Sequence, residues 1–175
     1  MKKEKKKTFS KAIYRFVDAI MCRSDFPIFG KISRFLRVFF ARRISKTISK
    51  KAFVDKGSII QTNVTVEAGG CIGKKCLISS DVFIGQNTMM GPEVLFFTQH
   101  HKKDESLKSF VSGYEEQRPI KVGKNCWIGQ RSIILGGVEI GDFVTIGAGS
   151  VVTKSVPSNC LVAGNPAVIK KYYEK

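Results

Sequence analysis

From Val54 onward the sequence repeats every six residues. Val54, Ile60, Val66, Ile72, Ile78, Ile84, Met90 and Phe96 are apolar and six apart, and Val122, Ile128, Ile134, Ile140, Ile146 and Val152 continue the pattern. All fourteen sites hold Val, Ile, Met or Phe in a chain that is 43% apolar, so composition alone does not produce the period. Six matches neither the helical stripe nor the plain alternation of a half-exposed strand. The residue after the apolar one is often glycine (Gly73, Gly85, Gly91, Gly123, Gly129, Gly141, Gly147), and the residue four after it is small or β-branched (Ser58, Val64, Cys76, Val82, Thr88, Cys126, Ser132, Val138, Val144, Ser150). Two inward residues per hexad, one bulky and one small, with glycine where the chain turns, describe short parallel strands wound into a solenoid. Three hexads to a triangular coil give nearly five coils.

The two runs are out of phase, because 122 minus 96 is 26, which is not a multiple of six. Something between residues 97 and 121 leaves the solenoid. That segment is polar and charged and holds both histidines of the chain, His100 and His101. An imidazole titrates near neutrality and is the natural general base, and a long excursion from a rigid scaffold is where chemistry tends to be placed.

Charge divides the chain differently. Residues 1–56 hold 17 Lys+Arg against 4 Asp+Glu, a net of +13, while residues 57–175 hold 13 against 10, a net of +3, together the full +16. The basic third reads as two helices. Phe9, Ala12, Ile13, Phe16, Val17, Ile20 and Met21 fall on one helical stripe with Lys11, Arg15 and Asp18 pointing away, and Ser24-Asp25-Phe26-Pro27 supplies an N-cap and a first-turn proline. Ile28, Ile32, Phe35, Leu36, Phe39 and Phe40 repeat the spacing, with Arg34, Arg37, Arg42 and Arg43 riding on the second helix. Such stripes suit either an anionic membrane surface or packing on the domain or a neighbouring subunit. Five Cys without a C-x-x-C pair argue against a disulfide framework or a zinc knuckle and point to a reducing cytosol. The start has the charge of a signal peptide but lacks its apolar core and cleavage site, and no apolar run reaches membrane-spanning length.

The [LIV]-G-x-x-x-x repeat resembles the bacterial hexapeptide-repeat family, whose fold is a left-handed parallel β-helix; the handedness comes from the resemblance. Sugar O-acetyltransferases of that family carry a G-P-x-V step, an excursion with the catalytic histidine, and a P-I-x-V-G-x-x-x-W-I-G re-entry. Gly91-Pro92-Glu93-Val94, His101, and Pro119-Ile120-Lys121-Val122-Gly123 to Trp127-Ile128-Gly129 match in order. The resemblance implies His101 as the base, with His100 as the fallback, and Glu93 and Trp127 beside the acceptor. It also implies acetyl-CoA as co-substrate, with no metal. GAGSVVTKSVP from Gly147 to Pro157 and Val162-Ala163-Gly164-Asn165-Pro166-Ala167 resemble the stretch that lines the acetyl-CoA channel. Gln130 and Ala148 would then meet pantetheine amides, Thr153 and Lys154 the adenine and 3′-phosphate end, and Lys170 and Lys171 phosphate. Cys76 and Cys126 take inward small-residue sites and read as core. Family members are usually trimers with clefts between solenoids.

The expected division is therefore a basic helical extension over 1–53, the β-helix over 54–168, and a basic tail over 169–175. The expected function is O-acetylation of a sugar or surface-polysaccharide precursor, of the colanic-acid or capsule type, in the cytoplasm or peripherally at the inner membrane, without nucleic acid. The positions matching the family's galactoside-binding Asn and Asp fall near Cys71 and Ser79, which cannot replace them. A serine acetyltransferase shares the repeat but would show a large acidic helical domain, a γ-class carbonic anhydrase needs three separated histidines, and a non-catalytic membrane- or nucleic-acid-binding scaffold is the alternative from another class.

Overall fold

The computed structural model describes residues 2–21, 29–45, 47–104 and 106–174, with side chains from residue 8 onward. The cap at Ser24 to Pro27, Ile28 and Cys22 lie outside the described residues. Two helices, α1 (Lys2–Ile20) and α2 (Phe29–Ile44), precede the strands. The first coils are built from β1 (Phe53–Val54), β2 (Ile59–Ile60), β3 (Thr65–Val66), β4 (Cys71–Ile72), β5 (Leu77–Ile78), β6 (Val82–Ile84), β7 (Met89–Met90) and β8 (Leu95–Phe97). After a hairpin of β9 (His101–Asp104) and β10 (Ser109–Tyr114), winding resumes with β11 (Ile120–Val122), β12 (Trp127–Ile128), β13 (Ile133–Leu135), β14 (Glu139–Ile140), β15 (Thr145–Ile146) and β16 (Val151–Val152). It ends with β17 (Cys160–Gly164) and β18 (Ala167–Tyr172).

These strands form the three faces of a left-handed parallel β-helix. One face holds β1 and β4, joined through the Cys71 N–H to the Thr88 carbonyl at 2.8 Å, then β7, β12, β15, β17 and β18. The second runs β2, β5, β8, β13, β16 and the third β3, β6, β11, β14. Phe53 pairs with Cys71, Ile59 with Leu77 and Thr65 with Phe83, each eighteen residues on, so three hexads close one coil. Val82 pairs with Ile120, a separation of 38. The excursion therefore inserts 20 residues and disturbs nothing else.

The core is the repeat itself. All fourteen bulky sites are buried, none more than 4% exposed. The small inward sites are buried as well, and their polar members are satisfied by a second rule. Ser58 Oγ donates to the Gly73 carbonyl at 2.6 Å, Cys126 Sγ to that of Gly141 at 3.1 Å and Ser132 Oγ to that of Gly147 at 3.0 Å, each fifteen residues on. Thr88 Oγ1 reaches the Gly123 carbonyl at 2.7 Å, 35 residues on, which is fifteen plus the excursion. Where the small residue is Ser, Thr or Cys it thus ties one corner to the next, except at Ser150, which donates back to the Gly147 carbonyl at 2.6 Å, and these buried polar atoms gain the partner they need.

The glycines after the bulky sites do not mark left-handed turns, as the repeat alone suggested. A Cβ on Gly73 would lie 2.3 Å from the Gly91 carbonyl oxygen, so close stacking of corners excludes a side chain there. The left-handed backbone comes two residues later, at Gly57, Asn63, Gly69, Asn87, Asn125 and Gly149 among others. Glycine and asparagine tolerate that conformation best.

Of the two orientations that the stripes allow, packing on the domain does not hold for their largest side chains. On α1, Tyr14 and Asp18 are buried, while Phe9, Phe16 and Ile20 are 68–70% exposed. On α2, Ser33 and Arg37 are buried along with Val38, Ala41 and Ile44, while Ile32, Phe35 and Phe39 face out. Asp18 and Arg37, expected on the polar outer surface, form an interior pair with Arg37 Nε 2.6 Å from Asp18 Oδ1. Asp18 Oδ2 also accepts the Gly57 N–H at 2.7 Å, and the Lys56 ammonium donates to the Met21 carbonyl at 2.6 Å. The helices are thereby fixed by these polar contacts together with Val38, Ala41 and Ile44 of α2, which join the core, and Ile48 bridges to Val66 beneath them.

At the other end, the boundary drawn between 168 and 169 falls inside β18. That strand folds back antiparallel on β17, pairing Gly164 with Ala167 and Cys160 with Tyr172, so Lys170 and Lys171 belong to a hairpin and not to a separate tail. Among the described residues, no helix is long and apolar enough to cross a membrane.

Candidate functional site

Both histidines sit on the hairpin that interrupts the winding. The stem is held by Thr98, only 1% exposed, whose carbonyl accepts the Arg118 N–H at 2.8 Å and whose hydroxyl accepts from Gln117 Nε2 at 3.2 Å. One residue pair further out, the Glu115 N–H donates to the His100 carbonyl at 2.9 Å. His101 opens β9 and pairs with Tyr114, the last residue of β10. Their rings stack with centroids 4.8 Å apart and planes 30° from parallel. The Tyr114 ring thus limits the rotation of an otherwise exposed imidazole. His100 is half-buried at the base of the hairpin.

Asp104 follows two lysines, the basic-then-acidic order of the excursion, and its place is structural. Its Oδ1 accepts the Ser106 N–H at 2.9 Å, the Ser106 hydroxyl at 2.5 Å and the Leu107 N–H at 3.1 Å, which closes the hairpin turn. Those bonds, the Ser106 hydroxyl first, hold the carboxyl below its ordinary range.

The residues expected to hold a nucleotide thiol lie at two edges of the second face. Gln130 and Ala148 occupy successive coils of the corner that leads from the first face into it, with the Gly149 N–H donating to the Gln130 carbonyl at 2.8 Å. Both are exposed. Thr153 and Lys154 are exposed at the opposite corner, just after β16, and the hairpin leaves the coil at that same corner, after β8. Between the edges runs the outward column Leu77, Leu95, Ile133 and Val151, aligned by register. Trp127, 45% exposed, stands on the first face beside Met89 and Thr145, around the Gln130 corner. Lys170 and Lys171 are exposed on β18, away from the second face.

Glu93, expected beside the acceptor, takes Arg131 Nε on its Oε2 at 2.8 Å, and this hydrogen-bonded charge lowers its carboxyl pKa. Arg131 had no role in the sequence reading. The cavity of about 430 Å³ on the third face is lined by Lys121, Glu139, Asp142, Ser155 and Ser158 among others, and includes none of the expected catalytic or cofactor residues. Within one chain these residues are therefore distributed over one hairpin, two corners and an edge strand.

The four described cysteines are held as thiols. Cys76 and Cys126 are buried, as their register implied. Burial pushes the Cys76 thiol up to about 12 and that of half-buried Cys71 to about 11, and raises those of Cys126 and Cys160. None of these four is a thiolate at neutral pH, so none suits an acyl carrier. Among the described residues no group of three or more His, Cys, Asp or Glu is placed to hold a metal ion.

Residues 119–154, where winding resumes, match the family model for the bacterial transferase hexapeptide (six repeats). The match covers 36 of the 175 residues. Galactoside O-acetyltransferases are similar to this chain. The one from Lactococcus lactis is 36% identical over 92 residues, 53% of this chain and 44% of that protein, and the one from Escherichia coli is 38% identical over 102 residues, 54% and 49%. The chain thus spans about half the length of these curated relatives. A maltose O-acetyltransferase from Clostridium difficile is similar in structure, at 28% identity and a TM-score of 0.68, covering 98% of this chain and 88% of that one.

The role of Tyr114 and the Asp18–Arg37 pair were not read from the sequence. Tyr114 is separated from His101 by a hairpin whose pairing no repeat predicts. The ion pair joins two helices through residues that a helical-stripe reading assigns to solvent.

Proposed function

We propose that the protein is an acetyl-CoA-dependent O-acetyltransferase acting on a hydroxyl of a sugar, with surface-polysaccharide precursors as the acceptor class. The observation that carries this reading is the placement of His101. The chain's two histidines ride on the single interruption of a rigid solenoid, and the hairpin leaves at the corner occupied by Thr153 and Lys154. Relatives named for O-acetylation of galactosides and maltose support the reaction class.

In this reading His101 takes the proton of the acceptor hydroxyl as its oxygen attacks the thioester carbonyl. The new ester C–O bond forms, the C–S bond breaks, and coenzyme A leaves as the thiol once the proton is returned to sulfur. Backbone N–H groups at the Gln130 and Ala148 corner hold the developing oxyanion or the pantetheine amides, and Lys154 meets phosphate. Tyr114 keeps the imidazole in place.

His101 is exposed in a single chain, whereas a base of this kind works in a water-poor cleft. The reading therefore includes a homotrimer, in which the hairpin of one chain faces the second face of the next. The test is release of free thiol from acetyl-CoA with a panel of mono- and oligosaccharides and serine, for the parent, His101→Ala and His100→Ala. Turnover on a sugar that His101→Ala loses is expected. Preference for serine, or no turnover with any acceptor, would overturn the proposal.

A further inference from the structure

We infer that the outward face of α1 and α2 is a docking surface for an anionic lipid bilayer. This inference does not use the proposed chemistry. A helix that packs on a soluble domain normally buries its apolar stripe and exposes its polar one. Here α1 buries Tyr14 and Asp18 and leaves its bulky apolar residues out, and α2, although it buries Val38, Ala41 and Ile44, also turns its largest apolar side chains outward. On a helical projection Phe9, Phe16 and Ile20 lie opposite the buried Tyr14 and Asp18, and Ile32, Phe35 and Phe39 lie opposite the buried Arg37. The polar side chains hold the helices to the first coil, through Asp18 to Arg37 and to the Gly57 N–H. Apolar area that stabilises the fold elsewhere is here left facing outward, seven bulky side chains with Phe29 among the described residues, which a soluble surface rarely tolerates without a partner.

Charge selects the partner. Among the described side chains of the two helices, Asp18 is the only acidic one, and it is buried against Arg37. The outer surface carries Arg15, Lys31 and Arg43 without an exposed carboxylate among the described side chains, and α1 opens with five lysines and one glutamate, Glu4. The Arg43 guanidinium lies 4.8 Å from the centre of the Phe39 ring, so cation and apolar group are presented together. That combination fits a bilayer interface, where rings enter the acyl boundary and cations meet anionic headgroups. Apposing this face with the same face of a second copy would bring cation against cation.

The test is flotation of the full chain with phosphatidylglycerol/phosphatidylcholine vesicles and with phosphatidylcholine vesicles alone, at low and high salt. Two exposed-residue variants accompany it: Phe16→Ser with Phe35→Ser, and Arg15→Glu with Lys31→Glu. Each must melt at the parental temperature. The inference expects binding to the anionic vesicles only, weakened by salt, and reduced about tenfold or more by either double variant. No flotation of the parent, or flotation that neither variant alters, would overturn it. So would an oligomer that dissociates in the Phe16→Ser, Phe35→Ser variant, because the face would then be a subunit contact. Loss of acetyl transfer has no bearing on this outcome, since vesicle binding is read directly.

Discussion

Replacing Asp18 with alanine should undock α1 from the solenoid. The carboxylate is bonded to Arg37 Nε at 2.6 Å and to the Gly57 N–H at 2.7 Å, and the Arg37 side chain is fully buried. Two unit charges at about 4 Å attract by about 4 kcal/mol at an effective dielectric constant of about 20. Removing one partner of a buried pair costs up to about 3–5 kcal/mol, and the further contacts of Arg37 place the expected loss at the lower end. The Gly57 N–H adds little, since Gly57 is exposed and water replaces the lost acceptor. A loss of about 3 kcal/mol is therefore expected, capped by the free energy that docks α1: beyond that cap the helix separates and the solenoid survives. Native-state hydrogen exchange resolves the two, because α1 amides should exchange faster while β5, β8 and β13 keep their protection. The double variant Asp18→Leu, Arg37→Met should recover to within about 1 kcal/mol of the parent, as apolar replacements of buried pairs do. A single-variant loss below about 1 kcal/mol, or a double variant as unstable as the single, would refute the assignment of this pair as the anchor.

Two further outcomes follow from the coil geometry. Gly73→Ala places a Cβ 2.3 Å from the Gly91 carbonyl oxygen and 2.6 Å from that of Met90, both backbone atoms. It should cost about 2 kcal/mol or more in denaturant melts, more than Gly149→Ala, where the site is open and only the left-handed φ opposes the change. Burial raises the Cys76 thiol from 9.0 to about 12. The unfolded chain therefore loses this proton first as pH rises from about 9 towards 12, so stability is intact at neutral pH and falls across that window. Iodoacetamide at neutral pH should leave Cys76 and Cys126 unmodified until the chain unfolds, and rapid labelling of native protein would contradict their burial.

The solenoid was legible because every hexad repeats the same local problem. A single apolar residue and a small one fix each strand, and the phase break at residues 96 to 122 located the excursion and both histidines. What the repeat could not reveal was why glycine follows the bulky residue. At Gly73 the reason is a neighbouring corner eighteen residues away, whereas the turn itself sits at positions such as Asn87. The helices were read only in part. Periodicity found the stripes of α1 and α2 but not their direction, since a stripe has no sign: Asp18 and Arg37 pair inside beside the buried Tyr14 ring, and Phe16 and Phe35 are left outside. Glu93 matched a motif while its carboxylate was already committed to Arg131, a partner 38 residues away that only the coil register brings near. The C-terminal basic residues looked like a tail because nothing local predicts that β18 pairs back on β17.

The most direct test of the proposed chemistry is the acetylated product itself, measured by mass spectrometry after incubation of acetyl-CoA and an accepted saccharide with the parent and with His101→Ala. The account predicts one acetyl ester per coenzyme A thiol released by the parent, and a rate lowered about 100-fold or more in the variant with acetyl-CoA binding retained. Acetylated product formed at the parental rate by His101→Ala, or thiol released without any acetylated saccharide, would contradict it.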